Sequence, residues 1–261
     1  MPPSTVRRMK SLFVFTSMMF AAFSGLLLQG QSSADTAQLA LEVHSAEYNS
    51  AANSVAVELV NNGQMAVTAY GLDITLTANG KVLSHVNYSS DLLDQVLSGR
   101  IQTRSSDSWA GAIQPADVYS ESLPANIKDT ASITAPVVAQ VVVKGIIWSD
   151  GTVEGPDHFM MQQILDRRTA TLNAETQVLS ILNAQSGEAN TPRRLEAALK
   201  NLSSLPQQSA ESLNTDVLND AATTLAQIKS STSPDAQLKV FSSKFANRHQ
   251  IRAALMQAAA Q

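Results

Sequence analysis

Residues 137–148, Val-Val-Ala-Gln-Val-Val-Val-Lys-Gly-Ile-Ile-Trp, form the most strongly β-favouring stretch of the chain. β-Branched and aromatic side chains dominate it, and these pack well on a pleated sheet. Strict alternation would divide its apolar residues between two faces, with Val137, Ala139, Val141 and Val143 on one and Val138, Val142, Ile146 and Trp148 on the other. A strand that is apolar on both faces is expected near the centre of a sheet.

Shorter alternating runs precede this stretch and predict further strands. They lie at residues 39–43, 55–59, 72–76, 82–88 and 116–123, and residues 152–154 can form a short edge strand after Asp150-Gly151. Asn79-Gly80 supplies the two left-handed residues of a tight hairpin. Residues 89–108 are predicted to be a long connection, with a short helical turn at 91–97. Six or seven short strands indicate an antiparallel, immunoglobulin-like β-sandwich.

A helical pattern begins after Gly155-Pro156. Helices are predicted at residues 157–183, from Thr191-Pro192 to about 202, at 213–228 and from Ser233-Pro234 to about 255. In the first of them Phe159, Ile164 and Leu165 are assigned to the apolar stripe. The fold class is therefore α+β: a sandwich over 35–155 followed by a helical region of about four helices over 156–261. The helices are expected to form a bundle, to pack along the sandwich, or to fold only on a partner.

The first 34 residues predict a secretion signal. Basic Arg7, Arg8 and Lys10 precede an apolar run over residues 12–28, and a small-residue cleavage site ends at Ala34. An uncleaved membrane anchor is the alternative, because about 20 apolar residues span a bilayer. The chain has no cysteine, which excludes disulfides and thiolate metal sites. The predicted location is extracytoplasmic, periplasmic or secreted.

Charge is divided unevenly along the chain. Residues 35–155 carry 5 Lys and Arg against 13 Asp and Glu, whereas residues 156–261 carry 10 against 9. An acidic body argues against a nucleic acid partner, since phosphate binding needs a positive field. The segment 229–261 is basic, and it is expected to dock on the acidic sandwich, on a partner or on anionic lipid.

Two segments carry a resemblance. Residues 59–70, Leu-Val-Asn-Asn-Gly-Gln-Met-Ala-Val-Thr-Ala-Tyr, resemble the strand-turn-strand of small immunoglobulin-like domains of exported bacterial proteins. Residues 146–152, followed by Gly155 and by Arg167 and Arg168 on a helix, are similar to uncharacterised secreted bacterial proteins with an aromatic-x-Asp-Gly turn. The resemblance covers about residues 39–168 and implies fold and compartment. It carries over no catalytic residue and no ligand.

No catalytic motif emerges from the histidines or serines. The four histidines are His44, His85, His158 and His249, and no Gly-x-Ser-x-Gly nucleophile elbow accompanies them. A glycosidase needs two carboxylates at a fixed separation, and the many acids single out no pair. No catalytic residue and no cofactor are therefore predicted.

Three other groups suggest a site, each with a simpler explanation. Asp150, Glu154, Asp157 and His158 cluster on a turn and a helix start, where carboxylates also cap backbone N–H groups, so no metal is predicted. Trp109 and Trp148 are candidate anchors for a partner, although core packing explains Trp148 as well. The Arg167-Arg168 pair can clamp an anion, or one arginine simply faces water.

Two functions from different classes remain open. The favoured hypothesis is an exported, non-catalytic interaction or assembly module of the cell envelope, in which an immunoglobulin-like sandwich presents loops or edges to a protein partner and the helices serve as a docking or assembly arm. The alternative is a carboxylate-dependent hydrolase of envelope polymers, which needs acids gathered in a cleft between sandwich and helices. Convergent buried acids would favour the hydrolase, and a flat apolar patch would favour the module.

Overall fold

The computed structural model describes residues 39–98, 111–130, 133–205 and 213–258. Its strands are β1 (Leu41–Asn49), β2 (Ser54–Asn61), β3 (Val67–Ala78), β4 (Lys81–Asp91), β5 (Val118–Pro124), β6 (Val138–Trp148) and β7 (Val153–Glu154). Its helices are α1 (Leu92–Leu97), α2 (His158–Ala184), α3 (Thr191–Ser203), α4 (Leu213–Lys229) and α5 (Pro234–Ala258). The predicted signal over residues 1–34 and Trp109 lie outside the described residues.

The strands form two antiparallel sheets. The three-stranded sheet has the order β1-β2-β5, and the four-stranded sheet has the order β4-β3-β6-β7. The predicted Asn79-Gly80 hairpin joins β3 to β4, and both of its residues have positive φ. The α+β class is confirmed, with antiparallel strands first and four helices after Glu154. The division into separate domains at residue 155 stays a prediction.

A single hydrophobic core fills the space between the two sheets. The three-stranded sheet contributes Val55, Val57 and Leu59, while the four-stranded sheet contributes Leu72 and Ile74 among others. These side chains alternate along their strands, as the sequence pattern predicts. The sheets are therefore stabilised chiefly by apolar burial, in a chain without disulfides.

A polar contact also joins the two sheets inside this core. The Tyr70 hydroxyl on β3 and the Tyr88 hydroxyl on β4 both donate hydrogen bonds to the carboxylate of Glu121 on β5. The Tyr88 contact measures 2.8 Å. Burial, reinforced by the negative charge of Glu121, raises the pKa of both tyrosines well above the usual range. Both hydroxyls therefore stay protonated and act as donors.

A bulge in β6 corrects one prediction about the two faces of this strand. Gly71 pairs with Gly145 but Leu72 pairs with Val143, so Lys144 is an extra residue on β6. The bulge reverses the alternation beyond it. Ile146 and Trp148 consequently join the core between the sheets, whereas Val138 and Val142 point outward and are exposed. The prediction that these four side chains share a face is wrong.

The first turns of α2 pack on the outer face of the four-stranded sheet. Met161 and Ile164 meet Ala69 and Ile147 in a second apolar cluster. Gly71 lies so close to the helix that an added Cβ would stand 2.4 Å from Sδ of Met160. A side chain at position 71 would therefore force the Met160 side chain to move.

The rest of α2 joins α3, α4 and α5 in a small bundle with its own core. That core contains Val178, Leu195, Leu225, Leu238 and Phe245, among others. These four helices therefore form a bundle. One of them, α2, also packs on the four-stranded sheet. No helix within the described ranges is long and apolar enough to cross a membrane.

Two details of the helices differ from prediction. Asn190, rather than Thr191, caps α3, because its side chain accepts a hydrogen bond from the Arg193 N–H. Phe159, assigned to the apolar stripe of α2, is 75 % exposed because it lies in the first turn, off the face that meets the sheet.

Candidate functional site

A polar cleft lies where β4 and α1 meet α2, α4 and α5. Its volume is about 360 Å³. Among the described residues that line it, Val217 alone is apolar; acids, arginines, serines, a threonine and a glutamine make up the rest. The cleft therefore joins the strand part of the chain to the bundle through charged groups.

The pair between Asp91 and Arg168 fixes α2 to the end of β4. Arg168 Nε donates to Asp91 Oδ2 at 3.0 Å, and its Nη2 donates to Oδ1 at 2.8 Å. The same Nη2 also donates to the backbone carbonyl of Thr68 at 3.1 Å. Both charged side chains are almost completely buried. A bidentate pair of this kind holds both the distance and the orientation of the two elements.

A second group of charges surrounds Glu175, in the middle of α2. This carboxylate is fully buried, with Arg252 Nε at 3.2 Å from Oε2 and Arg248 Nε at 3.0 Å from Oε1. Arg252 reaches further, because its Nη2 also lies 3.2 Å from Asp94 Oδ1 on α1. Arg252 thus connects the last helix both to α2 and to the strand part of the chain.

Four buried polar atoms in this group have no hydrogen-bond partner among the described residues. They are Arg252 Nη1, Arg248 Nε, Glu175 Oε1 and His249 Nδ1. The His249 nitrogen lies 4.0 Å from Glu175 Oε2. The Arg248 and Glu175 atoms face each other, so a small rotation would join them. Arg252 Nη1 has no such neighbour and stays a charged donor without an acceptor.

The rim of the cleft carries exposed charges of both signs. Asp216 and Asp220 lie one turn apart on α4 and both line the cleft. Arg167, on α2, lines it from another side and is exposed. Of the predicted Arg167-Arg168 clamp, one arginine is therefore in a buried ion pair and the other faces the solvent at the rim.

The acidic cluster at the end of the strands serves turns and caps. Asp150 accepts hydrogen bonds from Thr152, Glu154 accepts from the Trp148 indole at 3.1 Å, and Asp157 caps α2. Within the described ranges, no three His, Cys, Asp or Glu side chains are placed to hold a metal ion. The structure thus gives these carboxylates the capping and turn contacts expected from the sequence.

The remaining candidates are spread over the molecule. Trp148 is buried in the core between the sheets. His44 and His158 are exposed, and His85 lies 2.8 Å from Asp73 on the outer face of the four-stranded sheet. Only His249 lies close to the cleft charges. In the basic segment, Arg248 and Arg252 pair with Glu175 on α2, and Arg252 also pairs with Asp94 on α1.

Sequence reasoning did not single out Asp91, Asp94, Glu175 or Arg252. The sequence of α2 does contain a pattern from which buried charged residues could be predicted. Its buried residues recur at spacings of three and four positions, with Ala174 in addition, and they are Met161, Ile164, Arg168, Thr171, Ala174, Glu175, Val178 and Leu182. Three polar residues therefore occupy the centre of an otherwise apolar stripe. Charged residues at such positions are expected to be paired in the folded chain.

Neither the scan against models of known protein families nor the searches of curated proteins and of solved structures find a match for this chain. The immunoglobulin-like character of the sheets therefore stays a proposal. The function is therefore inferred from the structure of the chain alone.

Proposed function

We propose that the chain is an exported, non-catalytic interaction module of the cell envelope, built on an immunoglobulin-like sandwich. The observation that carries this proposal is a half of the outer face of the four-stranded sheet that is exposed in the part of the chain that the structure describes. We call it the open face; it consists of Asp73, Thr75, Thr77, Val82, His85, Asn87, Val138, Gln140 and Val142.

Strand register arranges the open face in three rows across β4, β3 and β6. The rows are Val82-Thr77-Val138, His85-Thr75-Gln140 and Asn87-Asp73-Val142. The next row contains Gly71 and Gly145, and there α2 begins to cover the sheet. Val82, Val138 and Val142 are 56 %, 62 % and 44 % exposed. Three exposed valines among small polar residues on a flat sheet suit contact with another protein.

The packing of the helices supports a rigid module rather than a flexible arm. The bundle has its own apolar core, and buried ion pairs join it to β4 and α1. A preorganised surface loses little conformational freedom on binding. In this proposal the helices hold the sheet in shape, and the open face meets the partner.

Paired valine substitutions test the open face. We expect Val138→Asp with Val142→Asp to keep the chain folded, because both side chains are exposed, and to reduce capture of the envelope protein that crosslinks at Gln140 about tenfold or more. Val240→Asp is the matched control, since Val240 is 53 % exposed on α5, away from the sheet. Equal capture by the two variants would overturn the role of the open face.

Export is tested separately with the first 34 residues. Fused to a reporter enzyme that is active only outside the cytoplasm, they are expected to give activity in the native host. Arg7→Glu with Arg8→Glu is expected to reduce this activity, because the basic start of a secretion signal is required. An inactive fusion would contradict the extracytoplasmic location.

The cleft favours a second candidate, the carboxylate-dependent hydrolase, because several acids converge there. Asp91, Asp94 and Glu175 are each ion-paired to arginine, however, and general acid catalysis needs a carboxyl group that can give up a proton. Hydrolysis assays of the purified chain on envelope polymers distinguish the hydrolase from the non-catalytic module. Turnover that is lost in Asp94→Asn would support the hydrolase, and the absence of turnover supports the module.

A further inference from the structure

We infer that the protein partner of the open face presents a lysine or arginine side chain that pairs with Asp73, among apolar groups that cover the exposed valines. The inference rests on the proposed function and names the chemistry of the partner. Protonated His85 would compete with the partner's cation for the same carboxylate. Binding is therefore expected to weaken as the pH falls.

Of the residues that form the open face, only Asp73 is an acid. It lies in the row nearest α2, between Asn87 on β4 and Val142 on β6. Its side chain is only 23 % exposed. The carboxylate is therefore partly desolvated before any partner arrives.

His85 gives this carboxylate a single contact. Its Nε2 lies 2.8 Å from Asp73 Oδ1, and its side chain is 53 % exposed. No donor among the described residues contacts the second oxygen, Oδ2. A neutral imidazole can donate one hydrogen bond, but it leaves the negative charge of the carboxylate in place. Asp73 Oδ2 and that charge are thus available to a partner.

Contact with a protein would remove the remaining water from Asp73. Because exposed Val142 stands beside it, apolar groups of the partner would come close to the carboxylate. A carboxylate enclosed in this way is costly unless a positive charge compensates it. A histidine is largely uncharged at neutral pH, so the partner has to supply the cation. An aspartate introduced at position 138 or 142 has no such cation opposite it, and it therefore weakens binding.

Acidification changes this balance of charge. Histidine gains a proton between about pH 8 and pH 5. His85 would then compensate Asp73 within the chain and would repel a lysine or arginine of the partner. The open face has no further ionisable side chain, and the elements around it carry Lys81, Lys144, Asp157 and His158 beyond its edges.

Photocrosslinking from Gln140 tests the pairing with Asp73. The purified chain, with a photoreactive amino acid at Gln140, is incubated at limiting concentration with an envelope extract at about pH 7.5, where histidine is largely neutral. We expect Asp73→Asn, which keeps the shape of the side chain, to reduce the adduct about tenfold or more. Asp220→Asn is the matched control, since Asp220 is exposed on α4 in the bundle, and it should leave the adduct unchanged.

The same adduct at about pH 5.5 tests the competition by His85. The wild-type adduct should fall about threefold or more, and His85→Gln should remove most of this decline. Mass spectrometry of the adduct should find a lysine or arginine next to the attachment point in the partner.

The inference and the proposed function fail in different ways. An adduct that Asp73→Asn does not reduce, or that grows on acidification, overturns the inference and leaves the open face as a binding surface. An equal decline in the wild type and His85→Gln overturns the competition. The absence of any adduct overturns the inference together with the proposed function on which it rests.

Discussion

Arg252 Nη2 lies 3.2 Å from Asp94 Oδ1, although 158 residues separate the two in the chain. Through this contact the last described helix is tied to the short helix that follows β4. Arg252 Nε also meets Glu175, so a single guanidinium connects three helices. The sheets and the bundle are held together by charge as well as by apolar packing.

Removing Arg252 is expected to destabilise the chain strongly. Arg252→Met removes one of the two arginines paired with the buried Glu175 and also the contact with Asp94, and breaking a buried ion pair costs up to about 3–5 kcal/mol. The free energy of unfolding in urea measures this. Arg252→Met combined with Glu175→Leu should cost less than the single change, because no buried charge is then left alone.

The exposed pair between Lys229 and Glu196 is the control for this prediction. Its atoms lie 3.9 Å apart, and both side chains are well exposed. Lys229→Met is expected to change the free energy of unfolding by less than about 1 kcal/mol. If Arg252→Met cost no more than Lys229→Met, the buried ion pairs would not be what holds the bundle in place.

Gly71→Ala is expected to destabilise the contact between α2 and the sheet. Its Cβ would stand 2.4 Å from Sδ of Met160 and 3.0 Å from Cε of Met161. Overpacking of this kind costs about 1–3 kcal/mol. Met160→Ala in the same chain should recover part of the loss. Gly187→Ala, where nothing lies within 4 Å of the added carbon, should leave the unfolding midpoint close to that of the wild type.

The raised pKa of Tyr70 predicts that the folded chain loses stability at alkaline pH. Because the pKa of the folded tyrosine is raised, the unfolded chain releases its proton first as the pH rises above about 10. The contribution of Tyr70 is complete below that pH and falls by about 1.4 kcal/mol by pH 11. Tyr70→Phe should therefore show a shallower decline between pH 9 and pH 11 in chemical denaturation. Parallel curves for the two proteins would contradict the buried, protonated hydroxyl.

The bulge at Lys144 predicts opposite outcomes for two nearby residues of β6. Ile146 is fully buried between the sheets, so Ile146→Asp should cost more than about 4 kcal/mol, through an unpaired buried charge. Val142 is 44 % exposed, so Val142→Asp should cost much less, about 1 kcal/mol, through the weak β-propensity of aspartate and the like charge of Asp73 opposite it on β3. Similar losses for the two variants would show that they share a face and that the bulge is absent.

Much of the fold follows from local patterns in the sequence. Alternation located the strands, and proline-containing starts located α3 and α5, because both signals act within a few residues. The extra residue at Lys144 was missed, since nothing in an apolar run marks where a partner strand skips one position. Register depends on pairing with β3, which lies far away in sequence.

The cleft was less predictable than the fold. Arg168, Thr171 and Glu175 interrupt the apolar stripe of α2, and this pattern predicts buried polar contacts on that helix. It does not say which residues complete them. Asp94 and Arg252 are 158 residues apart in the chain, and only the tertiary structure brings them together. Arg252 lies near the end of a basic helix, and its sequence context is the same as that of an arginine exposed to solvent.

Site-specific photocrosslinking at the open face tests the proposed function most directly. A photoreactive amino acid placed at Gln140, exposed in the middle row of the face, is compared with one at Gln227, exposed on α4. In the native host, the Gln140 position should give one discrete adduct with an envelope protein, and the Gln227 position should give none. No adduct at Gln140, or the same adduct at both positions, would contradict the account.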